Sequence, residues 1–587
     1  MKYSDCIANW LKLHGYERCF FVGGGNIMHL IESISNHMEC TPVIHEVAAG
    51  IAAEYYNETS NKGKAFALVT AGPGVTNIAT AMAGAYLESR ELLVIGGQVK
   101  TSDLSYGQVR QRGIQEIDGI SILDPISKNS VLIDKPIGKS KFMELVLTSC
   151  EGRPGPVFLE IPLDVQGQQY LDDDNLDEEL VGVQTSLHSE NVEFYSKMFA
   201  QAERPVILIG GGVSRETVSQ VYENLITKGI PVCTTWNAAD RVGFSEVVYC
   251  GRPNTWGQRS ANLIIQQADL LLAVGTRLGL QQTGFNWQHF LPSGKIIHVD
   301  IDQNELNKGH PNTEYKVCAD ANLFLRDILQ QDLGEHFEWL AYAKNIRKQI
   351  PLVEDINITR PEYISPYAFI DQISELCSDS DIIIPCSSGG AFTTTMQAFE
   401  QKKGQKIVTN KGLASMGYGL SGAIGASLAN ISTKTILIEG DGGFAQNIQE
   451  IGTAKINNLN IKIFIFDDAG YASIRMTQKN YFSGKYVGCD TNTGLGLPSW
   501  EKLFKVWGVP TCIVSKDIFD DKNFLSLFNS HGLSAFIIKI DPEQTYYPKI
   551  TSKVTDDGSM VSNPLHKMSP ELSPDVIKQV SKYIDEE

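Results

Sequence analysis

The chain has 587 residues, too many for one hydrophobic core, so about three or four domains are expected. A net charge of −18 disfavours nucleic acid and anionic membrane surfaces as partners, and no apolar run is long enough to span a bilayer. The 11 cysteines are odd in number, scattered and without a C-x-x-C pair, which points to free thiols in a reducing, cytoplasmic setting rather than to a disulfide framework or a zinc site.

The chain opens with MKYSDCIANWLKLHGYERCF, an amphipathic helix rather than a signal peptide. Residues 1–175 then alternate strand and helix. Cys19–Val22 runs into Gly23-Gly24-Gly25-Asn26, and Pro42–Ile44 into His45-Glu46. Ala65–Thr70 runs into AGPGVTN, and Leu92–Ile95 into Gly96-Gly97-Gln98. Strands that each end in glycine or a polar residue describe an open α/β sheet with a crevice at its carboxyl edge. Asn26 either reaches a substrate oxygen or simply satisfies its turn. The acidic stretch within 166–190 reads as a linker.

A second α/β block spans 190–340. One strand runs into Gly210-Gly211-Gly212, another into Gly275-Thr276-Arg277; Asp300-Ile301-Asp302 ends a third, and Asp320 follows in VCADA. These points share one sheet edge, for which a nucleotide is the natural ligand. A charged helix and linker lead to a third block at 360–545, and a polar tail occupies 546–587.

The most informative stretch lies in the third block: TILIEGDGGFAQNIQEIGTAKINNLNIKIFIFDDAGY. Thr435–Glu439 reads as a buried strand, Ala445–Leu459 as a helix, and Ile461–Phe466 as a strand buried on both faces. The glycines let the backbone approach a phosphate, and the N–H groups of a helix start favour an anion. Asp441 would repel that anion unless a divalent cation lay between them, and Mg²⁺ is the hard cation that prefers oxygen ligands. A second oxygen ligand belongs at the end of the next strand, where Asp467 and Asp468 stand.

This stretch resembles the thiamine-diphosphate signature: GDG, a helix and strand, then a pair that is Asn-Asn in the family and Asp467-Asp468 here. The resemblance widens to the acetolactate synthase-like family. HEVAAGIAAEYY is similar to its HE-x-x-A-x-x-A-A-x-x-Y, TAGPGVTN to its TSGPGATN, and GLASMGYGLSGAIGA to its GLGTMGYGLPAAIGA. It implies three doubly wound parallel-sheet α/β domains, namely a pyrimidine-binding domain (1–175), a middle domain (190–340) and a diphosphate-binding domain (360–545), with the tail 546–587 as a lid.

The resemblance also implies site residues. Glu46 is the acid that touches the aminopyrimidine, and Gln115 faces the active centre. Mg²⁺ is held by Asp441, Asp468 and the carbonyl of Gly470. The cofactor lies against Gly390, Ala391, Phe392, Gly442, Gly443 and Tyr471, with the carbonyl of Ala414 as acceptor and Met416 as the bulky wedge. Ala391 and Phe392 replace a Gln-His pair, which leaves diphosphate contacts to backbone N–H groups or to the hydroxyls of Ser388 and Thr393. In the middle block the resemblance implies an FAD site at Gly211, Gly212, Gly275, Thr276, Arg277, Asp300, Ile301 and Asp320, although some relatives keep this fold without flavin.

The implied activity is decarboxylation of a 2-keto acid, pyruvate first, with transfer of the acyl unit to an acceptor carbonyl. Thr477 stands where acetolactate synthases have tryptophan, which suggests an acceptor that is different from, or larger than, a second pyruvate, such as a keto-sugar nucleotide. Arg475, Gln478 and Lys479 either recognise oxygens of that acceptor or form a solvated helix face. Hydrolysis of a cyclic diketone and a non-catalytic, cofactor-binding paralogue are the alternatives. In the family the acid of one subunit meets the GDG block of another, so a homodimer or homotetramer is implied.

Overall fold

The computed structural model describes residues 1–170, 191–385, 388–554 and 560–584. The acidic stretch 171–190, read as a linker, lies outside them, as do tail residues 555–559 and 585–587. Three six-stranded sheets follow one another along the chain, and every strand pair within them is parallel. Their central strands are apolar runs buried on both faces, as crossover helices on both sides of a sheet require.

The first sheet comprises β1 (Tyr16–Phe21), β2 (Glu39–Pro42), β3 (Lys64–Val69), β4 (Leu92–Gln98), β5 (Asn129–Leu132) and β6 (Pro156–Pro162), in the order β2-β1-β3-β4-β6-β5. The second comprises β7 (Pro205–Ile209), β8 (Val232–Thr234), β9 (Tyr249–Gly251), β10 (Leu270–Val274), β11 (Lys295–Asp300) and β12 (Tyr315–Cys318), in the order β12-β11-β10-β7-β8-β9. The third comprises β13 (Ile382–Pro385), β14 (Lys406–Ile407), β15 (Thr435–Gly440), β16 (Ile461–Asp467), β17 (Thr511–Ile513) and β18 (Ser534–Lys539). Its order, β14-β13-β15-β16-β18-β17, repeats that of the first sheet strand for strand.

The first and third blocks share a hydrophobic core. Helix Glu46–Thr59 packs along helix Tyr418–Ala429 through small or apolar residues, 47–53 on the first and 419–426 on the second. The approach is close enough that a Cβ on Gly425 would sit 2.0 Å from the Ala52 carbonyl oxygen. A polar knot crosses this interface. Arg90 donates to Glu54 Oε1 (2.7 Å) and to the Thr409 carbonyl (2.7 Å), and the Tyr418 hydroxyl donates to Glu54 Oε2 (2.8 Å). All of these groups are buried, so each needs its partner.

Two segments differ from the sequence expectation. The helix expected over Ala445–Leu459 is broken: Asp441–Phe444 is helical, Ala445–Glu450 is a tighter turn kinked at Asn447, and Ile451–Ile456 resumes. The Asn447 side chain explains the break, because its amide donates to the Gly417 carbonyl (2.7 Å). The tail expected as a lid rests, over its later described residues, on the middle block. Leu565 and Val580 join that block's core, Arg259 donates to the carbonyls of Met568 and Pro570, and Gln267 to that of Val580. No helix among the described residues is long and apolar enough to cross a membrane.

Candidate active site

The carboxyl ends of β15 and β16 lie side by side, which brings Asp441 and Asp468 to one edge of the third sheet. Asp441 opens the short helix after β15, where its carboxylate accepts from the N–H groups of Gly442 (2.6 Å) and Gly470 (3.1 Å). Gly470 has φ +145, and a Cβ there would sit 2.2 Å from the Cys489 carbonyl oxygen, so glycine is required. The Tyr471 ring lies against Gly442.

Both acids are buried. Burial first, then the charges of Asp468 and Asp467, pushes the Asp441 carboxyl well above its ordinary range. Burial pushes Asp468 up to about 7, with the Arg475 guanidinium opposing. Asp468 Oδ1 has no hydrogen-bond partner. Two buried, repelling carboxylates with one oxygen open make a site that a divalent cation would complete. Among the described residues no three His, Cys, Asp or Glu side chains are placed to hold a metal ion together, so such a cation would need backbone or cofactor oxygens as well.

The other third-block residues converge on this edge. Gly417 N–H donates to the Gly443 carbonyl (3.0 Å), and the Gln446 amide to Met416 Sδ (3.7 Å), which ties the Ala414–Met416 segment to the GDG turn. Ala414 takes φ +54, uncommon for a residue with a side chain. On the next strand, helix Gly389–Ala398 starts at the carboxyl side of β13. Ala391 and Phe392 are buried, and Phe392 packs edge-on against Trp236 of the middle block at 4.9 Å between centroids. Their side chains serve the core, which leaves backbone N–H groups or the hydroxyls of Ser388 and Thr393 for any anion there.

Glu46 starts its helix at the carboxyl side of the first sheet and is 7% exposed. Asn77 of AGPGVTN donates to its Oε2 (2.9 Å). The turn before it is gripped by a residue that sequence reasoning missed. Glu450, fully buried in the third block, accepts from the N–H groups of Ile44 and His45 (3.1 Å each) and from the Thr453 hydroxyl (2.7 Å). An acid between Ile448 and Ile451 was the available signal. Gln115, exposed at φ +66, lies over Gly72. Its neighbour Glu116 staples the loop by accepting from the N–H groups of Ser105, Arg112 (2.8 Å) and Gly113 (3.0 Å). No hydrogen bond or ion pair links Glu46 or Gln115 to Asp441, Asp468 or Met416 among the described residues, so within one chain the two edges form separate clusters.

Arg475 is not on a solvated face. It is 4% exposed, with its guanidinium donating to the carbonyls of Asp468 (2.7 Å) and Pro542 (3.1 Å). Gln478 is spent on the backbone of Val487, and Lys479 pairs with Glu543 (2.6 Å).

The eight middle-block residues expected at a nucleotide line one cavity of about 820 Å³, large enough for a sizeable ligand. It lies between blocks, because Glu88, Arg153 and Lys411 also line it. Arg153 pairs with Asp300 (2.7 Å) and Asp302 (3.3 Å), and Asp320 caps its helix by accepting from Asn322 and Leu323. Burial lowers the Lys411 ammonium to about 8, Glu88 opposing. Asn237 Oδ1, also in the lining residues, is buried without a partner. Arg277, Lys308 and Lys411 with the glycine edges suit a polyanionic nucleotide.

Comparison with known proteins adds three matches to family profiles. Residues 1–122 match "Thiamine pyrophosphate enzyme, N-terminal TPP binding domain", residues 192–328 the family's "central domain", and residues 388–560 its "C-terminal TPP binding domain". The chain is similar to the acetolactate synthase isozyme 1 large subunit of Escherichia coli, 28% identical over 93% of this chain and 95% of that protein. It is similar to the isozyme 2 large subunit of the same organism at 27%, over 97% of this chain and 100% of that protein. A probable acetolactate synthase large subunit of Methanococcus aeolicus is 29% identical over 87% of each chain.

Proposed function

Because this chain belongs to the thiamine pyrophosphate enzymes of the acetolactate synthase-like family, we propose that it decarboxylates a 2-keto acid, pyruvate first, and transfers the acyl unit to an acceptor carbonyl. The observation that carries this reading is the buried Asp441–Asp468 pair, with Asp468 Oδ1 open, at the start of a glycine-turn helix. Thiamine diphosphate supplies, when bound, the carbon nucleophile and the electron sink for decarboxylation.

The protein's part is to bind, orient and move protons. Asp441, Asp468 and the Gly470 carbonyl are the groups that would hold Mg²⁺. N–H groups of the Gly390-Ala391-Phe392 turn and of Gly442-Gly443 take the diphosphate oxygens, with the Tyr471 ring behind them. The Ala414 carbonyl would accept from the cofactor's amino group, and the Met416 side chain would pack against the cofactor. Asn77 occupies Glu46 Oε2 and leaves Oε1 to share a proton with a ring nitrogen. Gln115 faces the substrate from the loop that Glu116 staples. The two separate clusters make sense if Glu46 and Gln115 of one subunit complete the metal edge of another, in a homodimer or homotetramer. Exposed Ile44, Ile114, Tyr481 and Phe482 support such a contact. The middle cavity takes FAD.

The acceptor is larger than pyruvate, a keto-sugar nucleotide. What supports this is that helix Ala472–Tyr481 presents Thr477, small and hydrogen-bonded only to its own turn, beside exposed Ile474. The test is carbon dioxide release from pyruvate with thiamine diphosphate and Mg²⁺, wild type against Glu46→Gln, with and without a keto-sugar nucleotide. Release that depends on Glu46 and rises with the acceptor is expected. No release from cofactor-loaded protein would rule out the pyruvate donor.

A further inference from the structure

The mechanism above assigns nothing to Arg475, yet this side chain is almost wholly buried directly behind the metal edge. Its helix, Ala472–Tyr481, starts just after Gly470 and points the side chain back at β16. One nitrogen, Nη2, donates to the Asp468 carbonyl at 2.7 Å and stands 3.6 Å from Asp468 Oδ1. That second distance is too long for a hydrogen bond and short enough for strong attraction. The other terminal nitrogen faces Asp490 at 3.7 Å, and Nε donates to the Pro542 carbonyl. Asp490 is itself engaged by the Thr493 N–H and hydroxyl, and Asp467 pairs outward with Lys539. Arg475 is thus the cation that faces the second carboxylate of the metal edge.

We propose that Arg475 is the positioning counter-charge of the metal site: it fixes the Asp468 backbone, leaves Oδ1 open for the cation, and offsets one of two adjacent carboxylate charges. The inference rests on the reading of Asp441 and Asp468 as metal ligands. Its consequence is reciprocal. With Asp468 ionised, the guanidinium balances a ligand. With a neutral amide at that position, the same guanidinium faces the metal across an uncharged group and repels it.

The experiment measures Mn²⁺ affinity of the full chain with thiamine diphosphate, from the free-ion electron paramagnetic resonance signal, with Mg²⁺ competition as a second readout. Asp468→Asn removes a charged ligand and should weaken Mn²⁺ binding about tenfold or more; outer-shell partners are typically worth 10–100-fold in metal affinity, so adding Arg475→Gln should bring it back to within about threefold of wild type. A gain on the second substitution cannot come from misfolding. If Arg475 only held backbone carbonyls, the double variant would bind as weakly as Asp468→Asn or more weakly, and that result overturns the proposal. Wild-type protein that holds no Mn²⁺ with thiamine diphosphate would instead overturn the metal-site reading itself, and this inference with it.

Discussion

The first and third sheets have the same strand order, and their carboxyl edges do opposite things. The first edge presents one acid, Glu46, tied at one oxygen by a neutral amide and otherwise open. The third presents two acids close together, buried and in need of positive charge. Identical topology therefore fixes where a site sits and leaves its chemistry to two or three residues at strand ends. A single acid with a free oxygen suits proton transfer. A pair with an open oxygen suits a cation.

The comparison can be broken where the two blocks meet. Arg90→Met leaves Glu54 buried without its cation and should cost about 3–5 kcal/mol, read as a lower melting temperature. Unchanged melting would mean that the Arg90–Glu54 pair adds nothing to the joint between the blocks. Glu450→Ala tests a finer link, the grip of the third block on the turn before Glu46. The turn's two N–H groups lose their acceptor, so kcat should fall about tenfold with little change in KM, and Glu450→Gln should recover part of it. Equal loss in both variants would show that the grip is only structural.

A smaller effect separates the edges by pH. Glu160 on β6 is buried, and burial raises its carboxyl from the usual 4.5 to about 8, Gln98 opposing. Folded protein then keeps a proton that the unfolded chain has released. The stabilisation is complete below about pH 4.5 and is lost as pH rises through about 8. Glu160→Gln should flatten the fall in melting temperature between those limits. A variant that tracks wild type across the range would show that Glu160 ionises normally.

The sheets were legible because parallel strands buried on both faces read as apolar runs, and their glycine-rich ends read as a ligand edge. Asp441 and Asp468 were legible because a carboxylate next to a phosphate-type turn implies a cation. The break at Asn447 was not, since it depends on a hydrogen bond to Gly417, 30 residues earlier in the chain. Arg475 was read as either an acceptor contact or part of a solvated face because its helix is polar, and only the fold shows that its side chain points back to Asp468. Glu450 and Arg153 act on segments hundreds of residues or a whole block away, which no local pattern encodes.

The division of labour between the two edges is tested most directly by calorimetric binding of thiamine diphosphate in Mg²⁺ to wild type, Glu46→Gln and Asp441→Ala. The account predicts that Glu46→Gln binds the cofactor nearly as wild type does while releasing no carbon dioxide from pyruvate, and that Asp441→Ala does not bind it. Asp441→Ala that binds as tightly as wild type would contradict the assignment of the third-sheet edge as the metal and diphosphate site.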